Sequence, residues 1–235
     1  RRSLEVADSN GVFATFVQGK VGIGTDAPNS KLMVIDTTDA RKQIEFSNHV
    51  TYRGSIGHDA SSGRNEYRTE AGGGMHAFFK GATSTTPEMI IDNNGVVTMP
   101  YQPAFMAIRS GNETGYNASG NYADVVVYNN TVYNIGSHYN TGTGYFTAPV
   151  AGVYYFSASA YMNFLCGQCW FSSSSGRISQ TDVVMDGMAQ FPSGWCLLKL
   201  AANDTVGFHP YASGTTSGTI NANVNHTYFT GVLLG

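Results

Sequence analysis

The residue pattern specifies an all-β chain. Turn-forming Gly (28 residues), Asn, Ser and Thr punctuate the whole length. Fourteen Tyr and thirteen Phe favour pleated strands, where aromatic rings pack against cross-strand neighbours. No stretch sustains the i, i+3, i+4 apolar period of an amphipathic helix. At 235 residues the chain can hold one large all-β domain or two smaller ones with cores of their own.

Charge divides the chain. Residues 1–100 carry ten Lys/Arg and eleven Asp/Glu, whereas residues 101–235 carry three and five and hold twelve of the tyrosines. The shift falls at Pro100 and Pro103 and predicts two domains, 1–100 and 101–235. The second has too few charges for an ordinary solvated surface of its size, so part of that surface is expected to be covered by other subunits. A net charge of −3 with 12% charged residues provides no basic footprint for nucleic acid. No apolar run approaches the roughly 18–20 residues that cross a bilayer, and no signal peptide opens the chain. The start at Arg1-Arg2-Ser3, already inside a patterned segment, reads as a fragment of a longer polypeptide.

In the first domain, Ser9-Asn10-Gly11 and Asn93-Asn94-Gly95 lie between β-prone residues and predict two-residue hairpin turns. Val21-Gly22-Ile23-Gly24 is followed by Pro28 with no third glycine and no helix pattern. It is therefore a glycine-kinked strand running into a turn, not a nucleotide loop. The segments Gly19–Val34, Ile44–Gly63 and Met89–Pro100 resemble stretches common in phage tail fibres and tailspikes. That resemblance implies a trimeric β-hairpin shaft or small knob, assembled in the host cytoplasm, carried on the virion tail and attached to other tail proteins.

The second domain has the more specific pattern. Tyr128, Asn134, Tyr139 and Phe146 precede Gly152-Val153-Tyr154-Tyr155-Phe156 at fixed intervals, between an opening Pro103–Arg109 and a closing Tyr228–Gly235. This combination resembles the signature of C1q/TNF-like globular heads. Tyr128 stands where Phe is usual and Ala158 where an aromatic is usual. The resemblance implies a C-terminal jelly-roll β-sandwich in a homotrimer.

Strand parity makes a trimer argument of its own. From Gly152 to Met162, one face carries Tyr154, Phe156, Ala158, Ala160 and Met162, and the other Val153, Tyr155 and Tyr161. Large aromatics on both faces predict burial on both sides. One face fills the sandwich and the other needs a neighbouring subunit. Tyr228, Phe229 and Leu233, and Trp195 to Leu198, repeat the pattern. A monomeric sandwich with a very apolar core is the blander alternative.

Chemistry is sparse. The six histidines lack metal-ligand spacing. Cys166, Cys169 and Cys196 are odd in number and read as buried free thiols. Ser172–Ser175 before Gly176 is a hairpin turn. Asp182 and Asp186 share one strand face, too isolated to mark a glycosidase cleft. By resemblance they imply a calcium site near the trimer apex, and calcium takes such oxygen ligands. No other cofactor is expected. Five Asn-x-Ser/Thr triplets are what this composition produces by chance.

The function expected is non-enzymatic: the distal part of a trimeric phage tail fibre that binds a host polysaccharide or protein receptor. The alternatives are a secreted C1q-like recognition protein of a cellular organism and a depolymerising tailspike. With the termini at the base of a jelly roll, the far-end loops are Ser110–Asn121, Asn163–Gln168, Asp186–Ser193 and Ala212–Asn221. Within them Asn112, Tyr116, Asn117, Gln190, Phe191, Thr215 and Thr216 are the candidate receptor contacts.

Overall fold

The computed structural model describes residues 4–8, 11–17, 19–24, 27, 30–34, 44–47, 53–59, 64–69, 74–80, 85–119, 123–164, 166–178, 183–189, 191–212, 217–223 and 225–235. In 183–189 and in most strands before residue 70 only the backbone is described. The chain forms two compact units, Arg1–Met99 and Pro100–Gly235.

The first unit is made of small sheets. Strands β1 (Leu4–Asp8), β2 (Gly11–Val17), β3 (Lys20–Ile23) and β4 (Leu32–Val34) lie side by side in that order, with β3 and β4 parallel. Strands β5 (Ile44–Ser47), β6 (Arg53–Asp59) and β7 (Arg64–Thr69) form a meander. Strands β8 (His76–Phe78), β9 (Met89–Ile91) and β10 (Val97–Thr98) form a third sheet. Asp8 pairs with Gly11, and the first expected turn, at residues 9–10, lies outside the described residues. The second reversal differs from a two-residue turn. Ile91 pairs with Val97, and the Asp92 carboxylate accepts from the N–H groups of Asn94 (2.9 Å) and Val96 (2.8 Å). A carboxylate that can satisfy two loop N–H groups favours this longer loop, with Gly95 at φ +79°.

The second unit is a two-sheet jelly roll. Its strands are β11 (Ala104–Ile108), β12 (Glu113–Tyr116), β13 (Asn130–Ile135), β14 (Phe146–Thr147), β15 (Gly152–Ser159), β16 (Cys166–Ser173), β17 (Gly176–Arg177), β18 (Val183–Ala189), β19 (Ser193–Leu200), β20 (Thr205–Tyr211), β21 (Gly218–Ile220) and β22 (Tyr228–Leu233). One sheet runs β13-β11-β22-β15-β19 and the other β14-β20-β16-β17, with β18 also on β16. From β13 the chain crosses between the sheets at β14, β15 and β16, and again at β19, β20 and β22, as in a jelly roll. Ser174-Ser175 turns β16 into β17 with Gly176 at φ +104°, the hairpin expected from the serine run. Strand β15 stops at Ser159, earlier than expected, and Met162 makes an isolated bridge to Ile220.

The spaced aromatic residues meet in one core. Phe105 stacks on Tyr139 (ring centroids 4.8 Å apart) and Phe146 (5.2 Å), and meets Phe229 edge-on (4.9 Å). Asn134 brackets Tyr139: its amide donates to the Tyr139 carbonyl (2.9 Å) and its Oδ1 accepts from the Tyr139 N–H (3.2 Å). The Tyr128 N–H donates to the Tyr139 hydroxyl (3.1 Å), and the Tyr128 hydroxyl donates to the Ser159 carbonyl (3.1 Å). Tyr at 128, in place of Phe, thus has a partner for its extra oxygen.

Gly231 pairs with Phe105 on one side and Phe156 on the other. A Cβ at Gly231 would stand 2.6 Å from both rings. Gly231→Ala is expected to cost about 1–3 kcal/mol by overpacking, read as a lowered thermal midpoint. An unchanged midpoint would show that the aromatic row is not close-packed.

Candidate recognition surfaces

Hydrogen bonds define the two ends of the jelly roll. At the base, the Leu233 N–H donates to the Pro103 carbonyl (2.9 Å) and the Val153 N–H to the Gly235 carbonyl (2.7 Å). At the far end, Tyr228, Ser159 and Ser193 stand in one cross-strand row. Three of the four expected loops join there. Strands β12 and β21, from two of them, pair antiparallel, and Asn163 of a third exchanges bonds with Thr219 (N to O 3.1 Å, N to Oδ1 2.8 Å).

An ion pair between buried Arg109 and half-buried Glu113 pins this end. Arg109 donates from Nε to the Gly111 carbonyl (2.8 Å) and from Nη1 to the Val127 carbonyl, and lies 3.2 Å from Glu113 Oε2. Burial raises the Glu113 pKa, and the Arg109 charge partly opposes that rise. The arrangement fixes the path of the loop after β11, because breaking a buried pair strands an uncompensated charge.

The structure corrects one site residue, Tyr116, and some of the expected loop bounds. Tyr116 is 1% exposed and donates from its hydroxyl to the Asp124 (2.6 Å) and Pro210 (3.0 Å) carbonyls, so it cannot face a receptor. Its place in the expected far-end loop Ser110–Asn121 suggested exposure, but cross-strand pairing with β21 turns it inward. Glu113–Tyr116, Cys166–Gln168 and Asp186–Ala189, expected in loops, are strand. Asn117 is half-buried, its Oδ1 accepting from the Ser119 N–H (3.0 Å). Asn112 is exposed, its Oδ1 accepting from the Ala222 N–H (2.8 Å). Phe191 is 47% exposed. Gln190, Thr215, Thr216 and Asp182 lie outside the described residues, and for Asp186 only the backbone in β18 is described. Among the described residues, no three His, Cys, Asp or Glu side chains converge to hold a metal ion. The three cysteines are free and buried.

A second surface is the outer face of the five-stranded sheet. Register puts Ala104, Val232, Tyr155 and Leu197 in one cross-strand row, and Met106, Thr230, Ser157 and Trp195 in the next. Within one chain Trp195 is 67% and Leu197 56% exposed, while Tyr155 and Tyr228 are half-buried. Burial on both sides of β15, expected from parity, therefore does not occur within a single chain. Tyr154, Phe156 and Phe229 belong to the core, Leu233 packs against it, and Tyr161 is half-buried at the far end.

Residues 104–234 match the family model for the C1q domain. The chain belongs to the C1q domain family. Its second unit is accordingly a recognition and binding module. Similar solved structures include the globular domain of zebrafish complement 1qA protein, at 24% identity, covering 57% of this chain and 98% of that one, with a TM-score of 0.41. Eiger TNF from S. frugiperda is 12% identical, covering 57% and 93%, with a TM-score of 0.37. Murine APRIL is 10% identical, covering 57% and 99%, with a TM-score of 0.39.

One feature of this C1q domain had no sequence signal. His209 Nε2 lies 2.7 Å from Ser172 Oγ, and its Nδ1 lies 3.0 Å from the Ala123 carbonyl. A carbonyl only accepts, so Nδ1 carries the proton and Nε2 accepts from the Ser172 hydroxyl. The ring stacks on Trp170 (5.8 Å, 4°), over which Arg177 sits at 4.3 Å. Desolvation lowers the His209 pKa, against smaller opposing contributions from the Ala123 and Asp124 backbones and the Asp124 charge. The unfolded chain therefore takes up this proton first as pH falls through its ordinary value of about 6.5. Stability is then lost at up to about 1.4 kcal/mol per pH unit until the folded value is reached. The thermal midpoint should fall between pH 7 and pH 5 in the wild type and fall less in His209→Gln. Equal slopes would exclude His209 as the cause.

Proposed function

We propose that the protein is a homotrimeric attachment protein, the distal part of a phage tail fibre whose C1q head binds the host surface. The carrying observation is the outer face of the five-stranded sheet, which presents Trp195, Leu197, Tyr155 and Val232 in two adjoining rows. Burying each large side chain contributes roughly 1.5–3 kcal/mol, so a few per subunit hold an oligomer together. A face shared by three copies leaves the far-end loops free to bind.

The first unit supports the same reading. Among its described residues no apolar side chain is buried, and Phe16, Leu32, Tyr67, Phe78 and Val97 are all exposed. Such a segment gains a core by assembling with identical chains, as a shaft does. Its resemblance to tail-fibre segments supports the virion setting, and three buried free thiols suit assembly in a reducing cytoplasm. A secreted C1q-like recognition protein of a cellular organism is the second reading, favoured by the family match in the head.

Light scattering on the purified chain should give three times the 25.2 kDa chain mass. Leu197→Glu, at a position exposed in the single chain, should dissociate the assembly without unfolding the head. A wild-type monomer at micromolar concentration would sink the oligomer. Fluorescently labelled protein should decorate bacterial cells; staining of animal cells alone would favour the second reading.

A further inference from the structure

Three aromatic rings meet at the far end of the head. Tyr161 lies two residues beyond β15, Phe191 two before β19 and His226 two before β22. Because Ser159 pairs with both Ser193 and Tyr228, the three positions continue the same cross-strand row by one step. Phe191 stacks on Tyr161 (4.8 Å, 11° between ring planes) and meets His226 edge-on (5.1 Å). Phe191 and His226 are exposed and Tyr161 is half-buried.

The shelf is held from beneath. Thr227, fully buried, accepts the Tyr161 N–H at its Oγ1 (3.0 Å) and donates that hydroxyl to the Asn221 carbonyl (3.0 Å). The Asn221 N–H returns to the Tyr161 carbonyl (2.7 Å), and the Ala160 N–H donates to the Pro192 carbonyl (3.1 Å). All three ring-bearing segments are thus fixed before any ligand arrives, which reduces the ordering cost of binding.

The rim is amide and uncharged. Asn163 uses its Oδ1 on the Thr219 N–H and Asn223 uses its Oδ1 on the Asn225 N–H. The NH2 group of each has no partner among the described residues. Residues 159–164, 190–194 and 221–228 contain no Lys, Arg, Asp or Glu. A charged polymer or acidic peptide finds no counter-charge there. A neutral pyranose ring matches the chemistry: its C–H face covers an aromatic ring and its hydroxyls accept from amide N–H groups.

We infer that Tyr161, Phe191 and His226, with the Asn163 and Asn223 amides, form a binding site for a neutral sugar residue of a surface glycan. This rests on the head being a binding module and names where and what it binds. The site overlaps one expected contact, Phe191, and adds Tyr161, Asn163, Asn223 and His226, which sequence spacing does not connect to it.

The test is saturation-transfer NMR on the full chain with the methyl glycosides of glucose, galactose, mannose and N-acetylglucosamine. At least one should receive saturation at its ring C–H protons. Phe191→Ala should weaken that binding by about tenfold, while Phe191→Tyr retains it and both keep the wild-type mass in light scattering. No transfer to any glycoside, or equal transfer to the Phe191→Ala protein, overturns the site. A change of mass in Phe191→Ala also overturns it, by making the shelf a contact between copies. Wild-type cell binding by Phe191→Ala removes this site and leaves the attachment reading in place. Loss of glycoside and cell binding together, at unchanged mass, supports both.

Discussion

A strand has two faces, and in this head both faces of the central sheet are apolar. The inner one is committed to the ring cluster around Phe105, Phe156 and Phe229, with Gly231 leaving room between two phenylalanines. Because side chains alternate along a strand, filling that core fixes what the other face carries. Tyr155, Val232, Trp195 and Leu197 must then point outward. A one-residue slip in β15 would expose Tyr154 and Phe156, so register, core and outer face stand or fall together. Assembly is in this account a consequence of parity.

The proposed binding residues sit on short connections held by bonds that leave little freedom: Arg109 with Glu113 on one side of the tip, Thr227 with Tyr161 on the other. Loops on such a scaffold can vary their side chains without disturbing the core. His209 and Ser172 tie Ala123 to the second sheet through polar contacts, and burial of the ring disfavours its protonation.

Much of the head was legible in the sequence for a physical reason. Tyr128, Asn134, Tyr139, Phe146, Tyr154 and Phe156 recur at fixed intervals because they touch in one cluster, and Asn134 is polar because it brackets the Tyr139 backbone. The strand from Gly152 and the serine hairpin before Gly176 followed from local pattern. Tyr116 did not: its burial depends on pairing with Gly218–Ile220, about a hundred residues away, and local composition carries no trace of that partner. His209 carries no sequence signal because a lone histidine in a strand has no motif, and its partners Ser172 and Ala123 come from distant segments. Phe191 was legible as a tip residue; its stacking on Tyr161 was not, because it rests on the register of β15 against β19. The Asp92 loop shows the opposite limit, where one carboxylate outweighed the Asn-Gly preference.

Trp195 reports most directly on whether the outer face is covered. It stands on β19, the edge strand of that face, and the protein's other tryptophan, Trp170, can be replaced by Phe to leave it as the single fluorophore. In a Trp170→Phe protein the account predicts blue-shifted Trp195 emission that iodide scarcely quenches, shifting red and becoming quenchable when Leu197→Glu is added. Red, freely quenched emission from the Trp170→Phe protein alone would contradict it, because the face would then be open to water and the assembly built on it would not exist.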